Sequence, residues 1–200
     1  MDGWSRIEAF LEMKKYGVIP TISGLKTNQY LFVAEELEKA GLPIMELCFR
    51  GTIPAKEILD AIYRIRSKTN LIIGCGTTTT PELAQVAINS GAQFVVSHFV
   101  SETIIRLCNR NGIFVVPGIR TETEAGVAME FGCQVAKVLL PFVEETHRIQ
   151  HFKTFSSLFP LMLFFPTMGI TPENLGQYIK AGAPFVATST PIIMPKEAVD

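Results

Sequence analysis

Short apolar runs alternate with amphipathic segments along this chain, and the alternation predicts its secondary structure. Residues 18–22 are mostly apolar and branched, which is typical of a buried strand. Residues 27–39 carry apolar side chains at helical spacing behind a threonine that can cap a helix. The two patterns recur about every 22 to 28 residues up to residue 189. The sequence therefore predicts strands and helices in regular alternation.

Eight strands are predicted, at residues 18–22, 43–50, 71–77, 94–97, 114–117, 134–140, 161–166 and 185–189. Seven helices are predicted between them, and an amphipathic helix that ends near Gly17 precedes the first strand. Regular alternation implies a parallel sheet, and eight units favour an α/β fold of the (β/α)8 TIM barrel type. An open doubly wound sheet is the alternative, but no Gly-x-Gly-x-x-Gly follows the first strand. Too few residues follow Pro195 for an eighth helix, so we expect the last helix to be short or missing.

Composition limits the classes of protein to which this chain can belong. Its 200 residues are 48% hydrophobic, which suits one barrel domain spanning residues 1–200. The net charge is −1 and basic residues are not clustered, so nucleic acid is not expected as a partner. Charged residues at the N-terminus and the lack of a long apolar run predict a cytoplasmic protein without a membrane partner. The four cysteines are widely spaced, which predicts reduced core residues and no metal site.

Lys137 stands in a run, residues 134–140, that otherwise has the character of a buried strand. Lysine is rarely buried without a reason. One interpretation is a lysine at a strand end whose amine reaches solvent. The other is an amine in a low-dielectric pocket, where the neutral form is favoured and can attack a carbonyl carbon.

Glu46, Cys48 and Arg50 alternate along the second predicted strand, so their side chains share one face. At the carboxyl end of a barrel strand, a carboxylate and a guanidinium can act as a proton shuttle and a clamp for a substrate carboxylate. A structural ion pair is the alternative.

Small and hydroxyl residues end three further strands. Thr77 is at the end of the third strand, Thr167 and Gly169 are at the end of the seventh, and Ser189 and Thr190 are at the end of the eighth. Loops after strands seven and eight often bind phosphate in barrels, although ordinary turn chemistry accounts for each loop taken singly.

Seven segments, in order and in register with the barrel strands, resemble the 2-keto-3-deoxy-6-phosphogluconate (KDPG) and 4-hydroxy-2-oxoglutarate (KHG) aldolase family. They are Val18-Ile19-Pro20, Glu46-Leu47-Cys48-Phe49-Arg50, Ile73-Gly74-Cys75-Gly76-Thr77, Gly91-Ala92-Gln93-Phe94, Val116-Pro117-Gly118-Ile119, Lys137 and Pro166-Thr167-Met168-Gly169-Ile170-Thr171-Pro172.

The resemblance implies a class I aldolase that uses neither metal nor other cofactor. Such enzymes are (β/α)8 barrels, usually homotrimers, that cleave a small-molecule 2-keto-4-hydroxy acid to pyruvate and an aldehyde. By position, Lys137 would form the Schiff base and Glu46 would be the acid/base. Arg50 and Thr77 would contact the pyruvyl carboxylate. The remaining residues would complete the substrate pocket, namely Thr167, Gly169, Ser189 and Thr190.

The chain departs from the family pattern at several places. One extra residue separates Lys137 from Pro141, so a count from Gly132 keeps the lysine in place whereas a count from Pro141 puts Val138 there. His98 stands where the family usually has proline, and we interpret it as a loop residue. Ser23 stands where arginine is common.

The segments expected to bind phosphate also depart from the family. Met168 replaces a glycine, and Thr188-Ser189-Thr190 replaces a glycine-rich segment. We therefore predict a weak or absent preference for a 6-phosphate. These departures leave an alternative open, an aldolase-like protein that binds a keto acid or a phosphate ligand without turnover.

Overall fold

The computed structural model of this protein describes residues 6–50, 53–140 and 144–189, in which strands and helices alternate. The strands are β1 (Val18–Ile22), β2 (Ile44–Cys48), β3 (Ile72–Thr78), β4 (Phe94–Ser97), β5 (Phe114–Val116), β6 (Gly118–Ile119), β7 (Val135–Leu139), β8 (Leu163–Thr167) and β9 (Val186–Ser189). The helices are α1 (Arg6–Tyr16), α2 (Thr27–Lys39), α3 (Ala55–Lys68), α4 (Pro81–Asn89), α5 (Glu102–Arg110), α6 (Glu122–Glu130), α7 (Glu145–Leu158) and α8 (Leu175–Lys180). Paired strands are parallel, as the alternation predicts.

The nine described strands fill the eight strand positions of a barrel, because the short strands β5 and β6 follow one another in the fifth position. One sheet has the order β5-β4-β3-β2-β1-β9 and the other the order β6-β7-β8. Only Pro117 separates β5 from β6, and a proline has no N–H to donate to a sheet. At this residue the chain leaves β4 and joins β7. The sequence pattern, which predicted one strand over residues 114–117, did not show this division.

Strand β8 lies beside β9, where the rings of Phe165 and Phe185 are 4.7 Å apart. The predicted (β/α)8 barrel with its N-terminal helix is therefore confirmed. The expectation of a short or missing last helix concerns residues 190–200, which lie outside the described residues.

Helix α1 covers the amino-terminal end of the barrel. Its Ala9 and Met13 are buried in one cluster with the first inward-facing residues of the strands. The ring of Phe10, also on α1, lies 5.9 Å from the ring of Phe114 at the start of β5. Because α1 closes this end with apolar side chains, the inward-facing polar residues lie at the opposite, carboxyl end of the strands. Active sites of parallel barrels lie at that end.

Inward-facing side chains change from apolar to polar within two residues along several strands. Ile44 and Val135 belong to the buried cluster at the amino-terminal end. Glu46 and Lys137, two residues further along β2 and β7, line a cavity at the carboxyl end. Residues two apart on a strand face the same side, so each strand supplies first a core residue and then a cavity residue. The same step leads from Ile19 to Thr21 and from Phe165 to Thr167.

Candidate active site

The carboxyl ends of β1, β2, β3, β7, β8 and β9 surround one cavity. Six of the eight candidate residues line it, namely Glu46, Arg50, Thr77, Lys137, Thr167 and Gly169. Of the other two, Ser189 ends β9 but its side chain is outside the described part of the chain, as is all of Thr190. The cavity is also lined by Thr21, Cys48, Met168 and Thr188.

Glu46 lies in the middle of β2 and is 1% exposed. Its carboxylate accepts a hydrogen bond from the Cys48 thiol at 3.2 Å and a longer one from the Thr21 hydroxyl at 3.5 Å. Thr21 is paired with Glu46 in the register of β1 and β2, which brings the hydroxyl beside the carboxylate. The two contacts hold the carboxylate at the cavity wall.

All four cysteines are buried thiols outside any disulfide, as expected, and among the described residues Cys48 is the one that lines this cavity. Burial raises the pKa of the Cys48 thiol well above its usual value, and the charge of Glu46 raises it further, against a lowering effect of Lys137. A thiol that keeps its proton is a hydrogen-bond donor and a poor nucleophile. Cys48 therefore supports Glu46 and does not compete with Lys137 for a carbonyl carbon.

Lys137 lies in the middle of β7, with Gly118 of β6 and Phe165 of β8 as its neighbours in register. Its backbone N–H donates to the carbonyl of Pro117 at 2.9 Å, and the residue is 7% exposed. Val138, the position that a count from Pro141 selects, is fully buried in the layer between barrel and helices. The extra residue before Pro141 therefore leaves Lys137 in the cavity, which is where the count from Gly132 puts it.

No ion pair of the described residues includes Lys137 or Glu46. The amine and the carboxylate face the same cavity, yet neither is neutralised by the other at contact distance. A structural ion pair between Glu46 and Arg50, the alternative weighed from the sequence, is likewise absent from the described residues. An amine and a carboxylate held in this way can act on a small molecule between them.

The loop after β8 has an unusual backbone conformation. Met168 and Gly169 both have positive φ, of 71° and 66° respectively, and a positive φ is uncommon for a residue other than glycine. The guanidinium of Arg148, on α7, donates hydrogen bonds to the carbonyl oxygens of Met168 and Gly169. Asn174 donates to the same Gly169 carbonyl at 2.9 Å. These hydrogen bonds hold Met168 and Gly169 in place at the cavity wall, where the family usually has two glycines.

Arg148 and Thr21 were missed by the sequence reasoning, although each left a signal. Arg148 is 7% exposed and stands four and seven residues before Phe152 and Phe155, on the buried face of α7. Thr21 follows Ile19 by two residues, on the inward face of β1. A polar residue in the apolar stripe of a helix or strand is the feature that could have identified both.

In residues 6–50, 53–140 and 144–189, no three His, Cys, Asp or Glu side chains are close enough together to hold a metal ion.

Comparison with known proteins shows the family to which the chain is similar. The sequence model of the KDPG and KHG aldolase family matches residues 9–199. The 2-dehydro-3-deoxy-phosphogluconate aldolase of Treponema pallidum is 32% identical over 174 residues, which are 86% of this chain and 80% of that protein. The 2-dehydro-3-deoxy-6-phosphogalactonate aldolase of Escherichia coli is 31% identical over 174 residues, or 84% of this chain and 80% of that protein.

A solved structure shows the same fold. The KDPG aldolase of Legionella pneumophila, crystallised with pyruvate captured as a covalent carbinolamine intermediate, superposes with a TM-score of 0.81. The match is 24% identical and covers 98% of this chain and 91% of that one. At this identity it supports the fold alone. The family model matches most of the chain, and the two relatives are more than 30% identical to it. This chain therefore belongs to the KDPG and KHG aldolase family.

Proposed function

We propose that this protein is a class I aldolase that reversibly cleaves a 2-keto-4-hydroxy acid to pyruvate and an aldehyde through a Schiff base on Lys137. Candidate substrates are a 2-keto-3-deoxy sugar acid, with or without a phosphate, and 4-hydroxy-2-oxoglutarate. The aldehyde would then be glyceraldehyde 3-phosphate, its unphosphorylated counterpart or glyoxylate. The observation that carries the proposal is that Lys137 and Glu46, both more than nine-tenths buried, line one cavity at the carboxyl end of the barrel.

The reaction begins when the neutral amine of Lys137 attacks the C2 carbon of the keto acid, and the ketone oxygen becomes the hydroxyl of a carbinolamine. Glu46, as an acid, protonates that hydroxyl, which leaves as water and yields an iminium ion. Glu46, now a carboxylate, removes the proton of the C4 hydroxyl. The electron pair of the C3–C4 bond moves into the iminium, so that an enamine remains on Lys137 and the aldehyde is released.

The enamine is then protonated at C3 by Glu46, and water hydrolyses the resulting iminium to give pyruvate and the free amine. One carboxylate can serve these proton transfers because they occur in sequence. The thiol of Cys48 and the hydroxyl of Thr21 keep the Glu46 carboxylate in place throughout.

The remaining cavity residues bind substrate in this proposal. Arg50 and Thr77 would contact the carboxylate next to C2, since a guanidinium matches the two oxygens of a carboxylate. Hydroxyl groups further along the molecule would lie against the ends of β8 and β9, where the candidate contacts are Thr167, Gly169, Ser189 and Thr190. Neither a metal nor any other cofactor is required.

An aldolase-like protein that binds a keto acid without turnover is the second candidate, and Met168 is the observation that favours it. A methionine with positive φ occupies a position where the family has glycine. This substitution obstructs the backbone amides that would otherwise approach a phosphate. The same observation supports our prediction of a weak or absent preference for phosphorylated substrates. A kcat/KM higher by orders of magnitude for the phosphorylated member of a substrate pair would contradict that prediction.

The chain as a whole is proposed to be a single barrel domain, residues 1–200, that assembles as a homotrimer in the cytoplasm. The trimer is implied by the family resemblance, and light scattering coupled to gel filtration measures it directly. None of the helices in the described residues has the length and apolar character needed to cross a lipid bilayer.

Borohydride trapping tests the proposed chemistry. The protein is incubated with pyruvate, reduced, digested and searched by mass spectrometry for a modified lysine. We expect the adduct on Lys137, its loss in both Lys137→Ala and Lys137→Met, and its retention in Lys153→Ala, which removes an exposed lysine of α7. Absence of any adduct from the unsubstituted protein would overturn the Schiff-base mechanism and favour the binding protein.

A further inference from the structure

His98 and Arg120 lie at the same end of the barrel as the cavity but outside its lining, and the proposed reaction uses neither. His98 follows β4 and Arg120 follows β6, so both are at the carboxyl ends of barrel strands. A Cβ built on Gly118 would lie 2.6 Å from the carbonyl oxygen of His98, so the missing side chain allows the loop after β4 to approach closely. Gly118 is also the register partner of Lys137. His98 is therefore one strand removed from the Schiff-base lysine.

The His98 ring has an unused hydrogen-bonding atom. Its Nδ1 is buried and has no hydrogen-bond partner among the described residues, although the residue as a whole is only half-buried. A buried ring nitrogen without a partner is destabilising, and a polar group of a ligand could satisfy it.

Arg120 supplies a positive charge that acts on this ring. Its backbone N–H donates to Glu124 at 2.7 Å and its backbone carbonyl contacts the ring of His151 at 3.2 Å. The residue is exposed, and in the described part of the chain its guanidinium takes part in no ion pair. The backbone is thus held while the side chain is available to an anion.

The electrostatics agree with this placement. Burial lowers the pKa of His98 below its usual value, and the charges of Lys137, Arg120 and Arg50 lower it further, in that order. The ring is therefore neutral at pH 7, and it stands where three cationic side chains act together. An anionic group is the ligand chemistry that such a region attracts.

We propose that His98 and Arg120 form a second oxyanion subsite, which binds a carboxylate or phosphate at the end of the substrate remote from C2. The guanidinium of Arg120 pairs with the anion, and the His98 ring makes a hydrogen bond to it or to a neighbouring hydroxyl. This inference rests on the proposed function, because the ligand is the far end of a keto acid bound at Lys137. It gives a charged far end a binding place after β4 and β6, separate from the altered loop at Met168 after β8.

Three keto acids of equal chain length test the subsite without requiring turnover. They are 2-oxopentanoate, with a neutral methyl end, 2-oxoglutarate, with a carboxylate, and 2-oxo-4-phosphonobutanoate, with a phosphonate. The measurement is the concentration of each that half-saturates borohydride trapping at Lys137, with pyruvate as the reference. We expect at least one charged acid to half-saturate at a concentration lower than 2-oxopentanoate by about 10-fold to 100-fold. Which acid gains shows whether carboxylate or phosphate is preferred.

Variants then locate the preference. Arg120→Ala is expected to abolish it and His98→Ala to reduce it, while pyruvate trapping stays within about threefold of the starting protein because pyruvate does not reach the subsite. Arg110→Ala, an exposed arginine at the other end of α5, is the matched control and should leave the preference unchanged.

The outcomes separate the two proposals. Equal half-saturation by all three acids, or a preference that survives both Arg120→Ala and His98→Ala, would overturn the subsite while leaving the Schiff-base chemistry in place. Failure of pyruvate itself to form an adduct would overturn the proposed function, and the subsite with it.

Discussion

Gly76 leaves the space that the Glu46 carboxylate occupies. A Cβ built on Gly76 would overlap Oε1 of Glu46 and would lie 2.6 Å from Sγ of Cys48. Gly76 is paired with Cys48 in the register of β2 and β3. Glycine is needed here for close approach rather than for a special backbone conformation, since its φ is not positive. The Glu46 carboxylate, the proposed acid/base, can take this position only because residue 76 on the neighbouring strand has a hydrogen atom in place of a side chain.

Substitution of Gly76 by alanine should displace Glu46 and slow the proposed chemistry. We expect Gly76→Ala to reduce the rate of pyruvate trapping by about 10-fold or more, and overpacking to cost about 1–3 kcal/mol in the free energy of unfolding. Gly126→Ala is the control, because its new Cβ meets no atom within 4 Å. That variant lies inside α6 and should be unchanged or more stable by about 0.5–1 kcal/mol. Equal trapping rates in the two variants would contradict this explanation of Gly76.

Loss of the Glu46 carboxylate should impair proton transfer while leaving Lys137 in place. We expect Glu46→Gln to lower kcat for pyruvate release by about 10²-fold to 10⁴-fold, the range typical of a general acid/base. An adduct at Lys137 should still form, but slowly. Glu36→Gln, at an exposed position on α2, provides the comparison. A Glu46→Gln enzyme with normal kcat would assign the proton transfers to another group.

The stability of the fold should decrease in alkali because buried thiols and phenols keep their protons. Burial raises the pKa of Cys48 and Cys75 above the usual thiol value, and raises that of Tyr30 to about 12. Below about pH 7.5 these groups are almost fully protonated in both folded and unfolded chains and have almost no effect on stability, because the ordinary thiol pKa is about 8.5. As the pH rises further, the unfolded chain releases protons that the folded chain retains, so the free energy of unfolding falls.

Each such thiol should contribute about 1.4 kcal/mol per pH unit to that fall. Urea unfolding between pH 7.5 and 10.5 measures the slope, and Cys75→Ala should reduce it by the share of one group. A free energy of unfolding that does not change over this interval would show that the thiols ionise within the folded protein.

Arg148 should be important for stability as well as for the cavity. It is 7% exposed, donates to the carbonyl oxygens of Met168 and Gly169, and pairs with Glu145 at 3.4 Å. Arg148→Ala should therefore cost about 2–3 kcal/mol in the free energy of unfolding, the usual range for hydrogen bonds to a charged group. Arg106→Ala, which removes an exposed pair within α5, should cost about 0.5 kcal/mol or less. Similar losses in the two variants would mean that Arg148 does not hold the loop.

Much of the candidate site was predictable because its residues interrupt regular patterns. Lys137 is a charge within an apolar run, and Glu46 and Arg50 alternate along a strand. Met168 and its loop were found from the family resemblance instead. The role of Arg148 was not predicted. Its position on a helix shows only an arginine among apolar residues, and the sequence does not show that it donates hydrogen bonds to the loop after β8.

The sequence by itself determined the order of strands and helices, the barrel that this order implies, and the type of chemistry that a buried lysine and a carboxylate make available. Hydrophobic periodicity is a local property of the chain, so it can be recognised from the sequence alone. Only the tertiary structure decided that Lys137 and not Val138 faces the cavity, and that Gly76 makes room for Glu46. It also decided that Gly118 brings His98 close to Lys137. These are contacts between strands distant in sequence, and they depend on register and on distances of a few ångströms that no local pattern encodes.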